Sequence, residues 1–133
     1  MRTNRLAQVL SVLLPLVCLL SCAHDRALTA ITVTPATVKF LTPQTNLVFQ
    51  LTAIGTFAHP PGNFDITNKV TWTTAAPQIV TVSSSGVVTP SGTGSCGVVN
   101  VTATAPVNSN NSSLVIGAAT ITVADPSNTH CPQ

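Results

Sequence analysis

The chain has 133 residues, with five Lys or Arg, three Asp, and neither Glu nor Tyr. Arg2 and Arg5 lie ahead of an apolar run, so beyond it Arg26, Lys39 and Lys69 balance Asp25, Asp65 and Asp125. So few scattered charges argue against a nucleic-acid-binding face, which needs clustered cations, and make general acid–base machinery thin.

The first predicted element is a leader. Arg2 and Arg5 form a basic start, and Leu6 to Leu20 is mostly Leu and Val. Its length and charge order suit a secretory signal better than a membrane span, which wants roughly 20 apolar residues. Leu19-Leu20-Ser21-Cys22 closes it with a cysteine behind a small residue. This resembles a bacterial lipobox and implies processing to a lipidated N-terminal Cys22. Cys18 follows the bulkier Val17 and suits that role less well. An ordinary signal peptide cut elsewhere is the alternative. By the same resemblance, Ala23 after the cysteine implies the outer membrane, and Asp25 stands too far along to act as a retention signal.

Short strands follow, separated by turn residues. Ile31-Thr32-Val33 alternates and stops at Pro35, and Thr37-Val38-Lys39-Phe40 stops at Pro43. In Asn46–Ile54, Leu47, Phe49, Leu51 and Ala53 share one face. Ala58–Asn63, with Pro60-Pro61-Gly62, is expected to be a loop. Val70–Thr73 is a strand, and Ile79–Val82 and Val87–Thr89 flank a hairpin turn at Ser83–Gly86. Val99, Val101, Ala103 and Ala105 share a face, Asn108–Ser113 is expected to be a polar loop, and Ala119–Val123 is the last strand. Period-two alternation with regular turns predicts an all-β, two-sheet antiparallel sandwich of about seven strands. High Thr and Val content favours strands. Trp72, the single tryptophan, is the expected core residue between the sheets.

The order of these pieces resembles a bacterial immunoglobulin-like domain of group 2, the type found in invasin- and intimin-like surface proteins. The residues are Leu51–Phe57, Ile66-Thr67, Val70-Thr71-Trp72, Pro77, Val80-Thr81-Val82, Gly86-Val87-Val88, Gly94, Val101–Thr104 and Thr120–Val123. The resemblance implies an immunoglobulin-like sandwich used as a spacer, adhesin segment or binding module, without catalytic residues. Some relatives bind calcium, but three dispersed Asp residues cannot supply six to eight oxygen ligands. The expected organisation is a signal peptide over 1–21, a tether over 22–28, a sandwich over 29–124 and a C-terminal tail over 125–133.

Cys96 and Cys131 remain once Cys22 is assigned to lipid. Exported cysteines usually pair, and a bridge here would tie the tail to the sandwich. Free thiols or intermolecular pairing of Cys131 are the alternatives. His130, Cys131 and Cys96 lack the paired spacing of a zinc site, so no metal is expected. Gly92–Gly97 matches G-x-G-x-x-G, yet a strand follows where a dinucleotide fingerprint needs a helix. These glycines read as turn residues. Asn100, Asn110 and Asn111 begin glycosylation-like triplets that, beside a lipobox-like leader, read as chance matches in an Asn-, Ser- and Thr-rich chain, and Thr93 spoils a nucleophile motif around Ser95.

The expectation is a membrane-anchored envelope lipoprotein with a structural or recognition role and no cofactor. Its partners would be the membrane, through lipid, and an unidentified protein or glycan. The rivals are a soluble secreted binding module and, less favoured, a small hydrolase. The expected contact surfaces are the loops Ala58–Asn63 and Val107–Ser113. No stretch beyond the leader is basic or amphipathic enough to hold a membrane surface electrostatically.

Overall fold

The computed structural model describes residues 26–41, 47–92 and 95–132. Among them are ten strands and no helix. They are β1 (Ala27–Thr34), β2 (Thr37–Leu41), β3 (Phe49–Gln50), β4 (Thr52–Ala58), β5 (Gly62–Asp65), β6 (Thr71–Thr74), β7 (Val80–Val82), β8 (Val87–Pro90), β9 (Gly97–Asn108) and β10 (Asn111–Ala124).

One layer holds β2, β10, β9 and β6 in that order. The other combines β1-β4-β5 with β3-β8-β7, joined because β3 and β4 are one strand interrupted at Leu51. Leu51 turns its N–H to the Gly86 carbonyl at 2.9 Å. This is the immunoglobulin-like arrangement. The excess over the expected seven strands has three sources: the first and second strands are each split, and β5 is added.

Proline explains the first split. Pro35 has no N–H to give to a ladder, so β1 leaves β4 and the chain crosses to the other layer. There β2 runs parallel to β10, with Val38 opposite Ile121 and Phe40 opposite Val123. The Ala36 carbonyl accepts the Thr120 N–H at 2.8 Å at the crossing.

Alternation sets what each strand buries. On β1, Leu28, Ile31 and Val33 face inward, and β9 contributes Val99, Val101, Ala103 and Ala105. Leu51, Val80, Val88, Val101, Ile121 and Val123 are fully enclosed. Each contributes about 1.5–3 kcal/mol relative to exposure. The opposite side of the β2-β10-β9-β6 layer is a threonine surface. Thr73 and Thr102 share a hydroxyl–hydroxyl hydrogen bond of 2.7 Å, and the Thr120 hydroxyl donates to Asn100 at 3.2 Å.

Two loops expected from the sequence shorten to tight turns between strands. Ala58 ends β4 and Gly62 opens β5, so only His59–Pro61 connects them. Phe57 pairs with Gly62 and Ile54 with Asp65. His59 takes φ 55°, a left-handed value that helps reverse the chain in so few residues. Likewise Asn111–Ser113 lies in β10, leaving Ser109-Asn110 as the turn. Here asparagine side chains do local work: Asn108 Oδ1 accepts the Asn110 N–H at 3.0 Å and Asn111 Oδ1 the Ser113 N–H at 2.9 Å. Polar composition reads as loop, yet such residues also stabilise tight turns. The tether boundary shifts too, because Ala27 and the buried Leu28 already belong to β1.

Candidate functional site

Strand direction gives the sandwich two unlike ends. Ala27 pairs with Ala58, so the start of β1 lies beside the β4–β5 turn. Gly117 of β10 packs on Ile31, where an added Cβ would sit 2.6 Å from the Ile31 carbonyl oxygen. At roughly 3.3 Å per residue, the β9–β10 turn therefore reaches the same end. We call this the entry end. The expected contact loops thus share one end, although neither the sequence order nor their composition announces it.

Between them lies a cleft of about 220 Å³. Its apolar walls include Leu28, Phe57, Ile66 and Val107, and its cations are Arg26 and Lys69. Of the two expected loops, Val107–Ser113 supplies Val107, Asn108 and Ser109. Ala58–Asn63 supplies none of the lining, although Phe57 just before it does. Arg26 stacks over Phe64 at 4.9 Å from the ring centroid, and Phe64 meets Phe57 edge-to-face at 5.8 Å. Such contacts hold a guanidinium in place without neutralising it.

Lys69 is carried by a turn built from Asp65 to Val70. Asp65 Oδ1 accepts the Thr67 N–H at 2.8 Å. The buried Thr67 hydroxyl accepts the Ala53 N–H at 2.9 Å, and its carbonyl accepts Trp72 Nε1–H at 2.9 Å. The Lys69 N–H reaches the Ile66 carbonyl at 2.8 Å. Hydrogen bonds from the Thr67 hydroxyl and N–H hold the Asp65 carboxyl below its usual range, against a smaller opposing effect of desolvation. Sequence reasoning missed this network. Its local signal is Asp65-x-Thr67, an aspartate capping the backbone two residues on.

Trp72 is buried on β6, opposite Ala103, with its indole ring against Gly86. Gly86 adopts φ 82° and an added Cβ would lie 2.7 Å from the Leu51 carbonyl oxygen, so glycine is required there. A second concavity, lined by Gln50, Thr52, Asp65, Thr67, Asn68 and Ser85, is polar. In it the Gln50 amide donates to the carbonyls of Leu51 and Ser85 at 2.6 and 2.7 Å.

At the far end Cys96 and Cys131 form a disulfide, with Cα atoms 5.5 Å apart. The tail reaches it through turns. Asp125 Oδ1 accepts from the Ser127 N–H and hydroxyl at 3.0 and 2.6 Å. The Asn128 N–H reaches the Asp125 carbonyl, and the Cys131 N–H the Asn128 carbonyl. Gly92 and Gly97 have φ of 144° and 148°, and Gly97 opens a strand, as turn glycines rather than a nucleotide loop do. Among the described residues, no group of three His, Cys or Asp could hold a metal ion. Cys22 and Cys18 lie outside the described residues, as does His24.

No protein-family model matches the chain, and a search of curated proteins found no match.

Proposed function

We propose that the protein is an envelope lipoprotein, anchored through lipid on Cys22, that carries one immunoglobulin-like domain of the group-2 bacterial type in a structural or recognition role. The observation that carries the reading is Ser21-Cys22 at the close of a basic-then-apolar leader, five residues ahead of the first strand. A disulfide across the tail suits an oxidising compartment and supports export. The proposed role is binding or spacing rather than turnover. Asp65 and Asp125 are each engaged in a turn, and the inward side chains form the core.

The test is mass spectrometry of the processed N-terminus with detergent partitioning. Acyl mass on Cys22 and retention in the detergent phase, both reduced by Cys22→Ser, are expected. A mature N-terminus elsewhere with unmodified Cys22 would overturn the anchor and favour the soluble secreted module. Reproducible hydrolysis abolished by a single Asp or His substitution would overturn the non-enzymatic role.

A further inference from the structure

We infer that the entry end of the sandwich docks on the headgroups of an anionic lipid surface, standing the domain upright with its disulfide end outward. The inference rests on the lipid anchor at Cys22. Residues 22 and 27 are joined by five peptide steps, which extend to at most about 18 Å. Whatever the path of those residues, β1 starts close to the anchoring lipid. The entry end must then lie near the membrane, but a short tether alone would let the domain lie on its side.

The end itself supplies the orientation. Arg26 and Lys69 line one cleft there, and neither forms an ion pair among the described residues. The remaining described cation, Lys39, is on β2 opposite Thr122, toward the far end. Of the described carboxylates, Asp65 closes β5 opposite Ile54, on the side away from the β4–β5 turn, and Asp125 is at the far end, just past β10. The charge separation therefore points positive toward the lipid. Apolar side chains flank the two cations: Phe64 is 44% exposed, and Leu114, paired with Pro106 beside the cleft, is 62% exposed. Cations beside exposed apolar groups match a phosphate layer over acyl chains.

Two charges are too few to capture a membrane from solution. They act here on a domain that lipid already holds, so docking is effectively intramolecular. Each cation near an anionic leaflet is worth about fivefold in the docked population. A β10 of 14 residues would then raise the far end about 45 Å above the surface. The turns at His59–Pro61 and Ser109-Asn110 would face lipid, leaving the threonine face and the disulfide end for any protein or glycan partner.

The experiment uses the full processed protein reconstituted in phosphatidylglycerol vesicles whose lipids are brominated near the headgroup. Phe64→Trp reports on the entry end, Leu114→Trp is a second reporter there, and Thr129→Trp reports on the far end. The wild type, with buried Trp72 alone, gives the background. Quenching is expected at positions 64 and 114 and not at 129. It should fall in phosphatidylcholine vesicles, in 1 M salt, and with Arg26→Gln combined with Lys69→Gln, where the docked population drops about 25-fold. Acylated protein quenched at neither entry-end reporter, or equally at 129, would overturn docking while leaving the anchor intact. Quenching indifferent to lipid charge and to the double substitution would overturn the headgroup recognition. An N-terminus without acyl mass, read separately, would remove the anchor and this orientation together.

Discussion

The two ends of the sandwich are secured by different means. The turn that brings Lys69 to the entry-end cleft is held by hydrogen bonds: Asp65 to Thr67, Thr67 to Ala53, and Trp72 to Thr67. At the far end a covalent bond ties residue 131 back to residue 96, and small polar turns fill the path between β10 and the cysteine. The entry end has a hairpin on each side, so its turns are short and need no cross-link. The far end has a tail with no strand partner, and a disulfide holds such a tail whatever its packing.

The largest test strikes the core that supports this turn. Trp72→Ala should cost about 3–5 kcal/mol in denaturant unfolding, as large-to-small core changes do. Because Trp72 also anchors Thr67, the amides of Ala53 and Thr67 should lose protection from exchange before those of the 125–131 turns. Equal loss at both ends would break the contrast drawn above.

Removing the far-end bridge comes next. Cys96→Ser with Cys131→Ser opens a loop of 35 residues and should cost roughly 3–4 kcal/mol in the chain-entropy model. Thermal melting should shift down while the strand signal in circular dichroism persists. Protection at Ala53 and Thr67 should be retained under native conditions. Two titratable thiols in denatured, non-reduced wild type would contradict the bridge itself.

Thr67→Val sharpens the comparison from the other side. It leaves the buried Ala53 N–H without its acceptor, an expected cost of about 1–3 kcal/mol. Combined with the cysteine pair, the two losses should add within about 0.5 kcal/mol, since the sites share no partner. A larger coupling would show that the ends communicate.

The smallest effect is electrostatic. The carboxyl of Asp65 titrates below its unfolded counterpart, so its contribution is present above the ordinary carboxylate range and is lost as pH falls below that range through the lowered folded value. Asp65→Asn should flatten that acid-side decline in melting temperature and change little at pH 7. By contrast, Arg26→Gln with Lys69→Gln should leave stability within about 0.5 kcal/mol of the parent. A large loss would mean the two cations serve folding rather than docking.

Much of this architecture is written locally. Ile31 and Val33, then Val99 to Ala105, alternate with polar residues because one face of each strand is buried, and that period of two survives in a single sequence. Trp72 and the pair Cys96 and Cys131 are equally legible, since a lone tryptophan in a β-rich chain and two cysteines in the sandwich and its tail have few other uses. What the sequence left undecided is everything that depends on register between distant segments. The change of layer at Pro35, the approach of Gly117 to Ile31, and the meeting of Arg26 with Lys69 each join residues with no shared local pattern. The turns at 59–61 and 109–110 are shorter than the expected loops because asparagine and proline mark chain reversal without stating its length. Side-chain periodicity determines which face a strand buries. Only the pairing of strands across two layers decides which residues share an end, and that pairing made one cleft from residues 26, 57, 69 and 107.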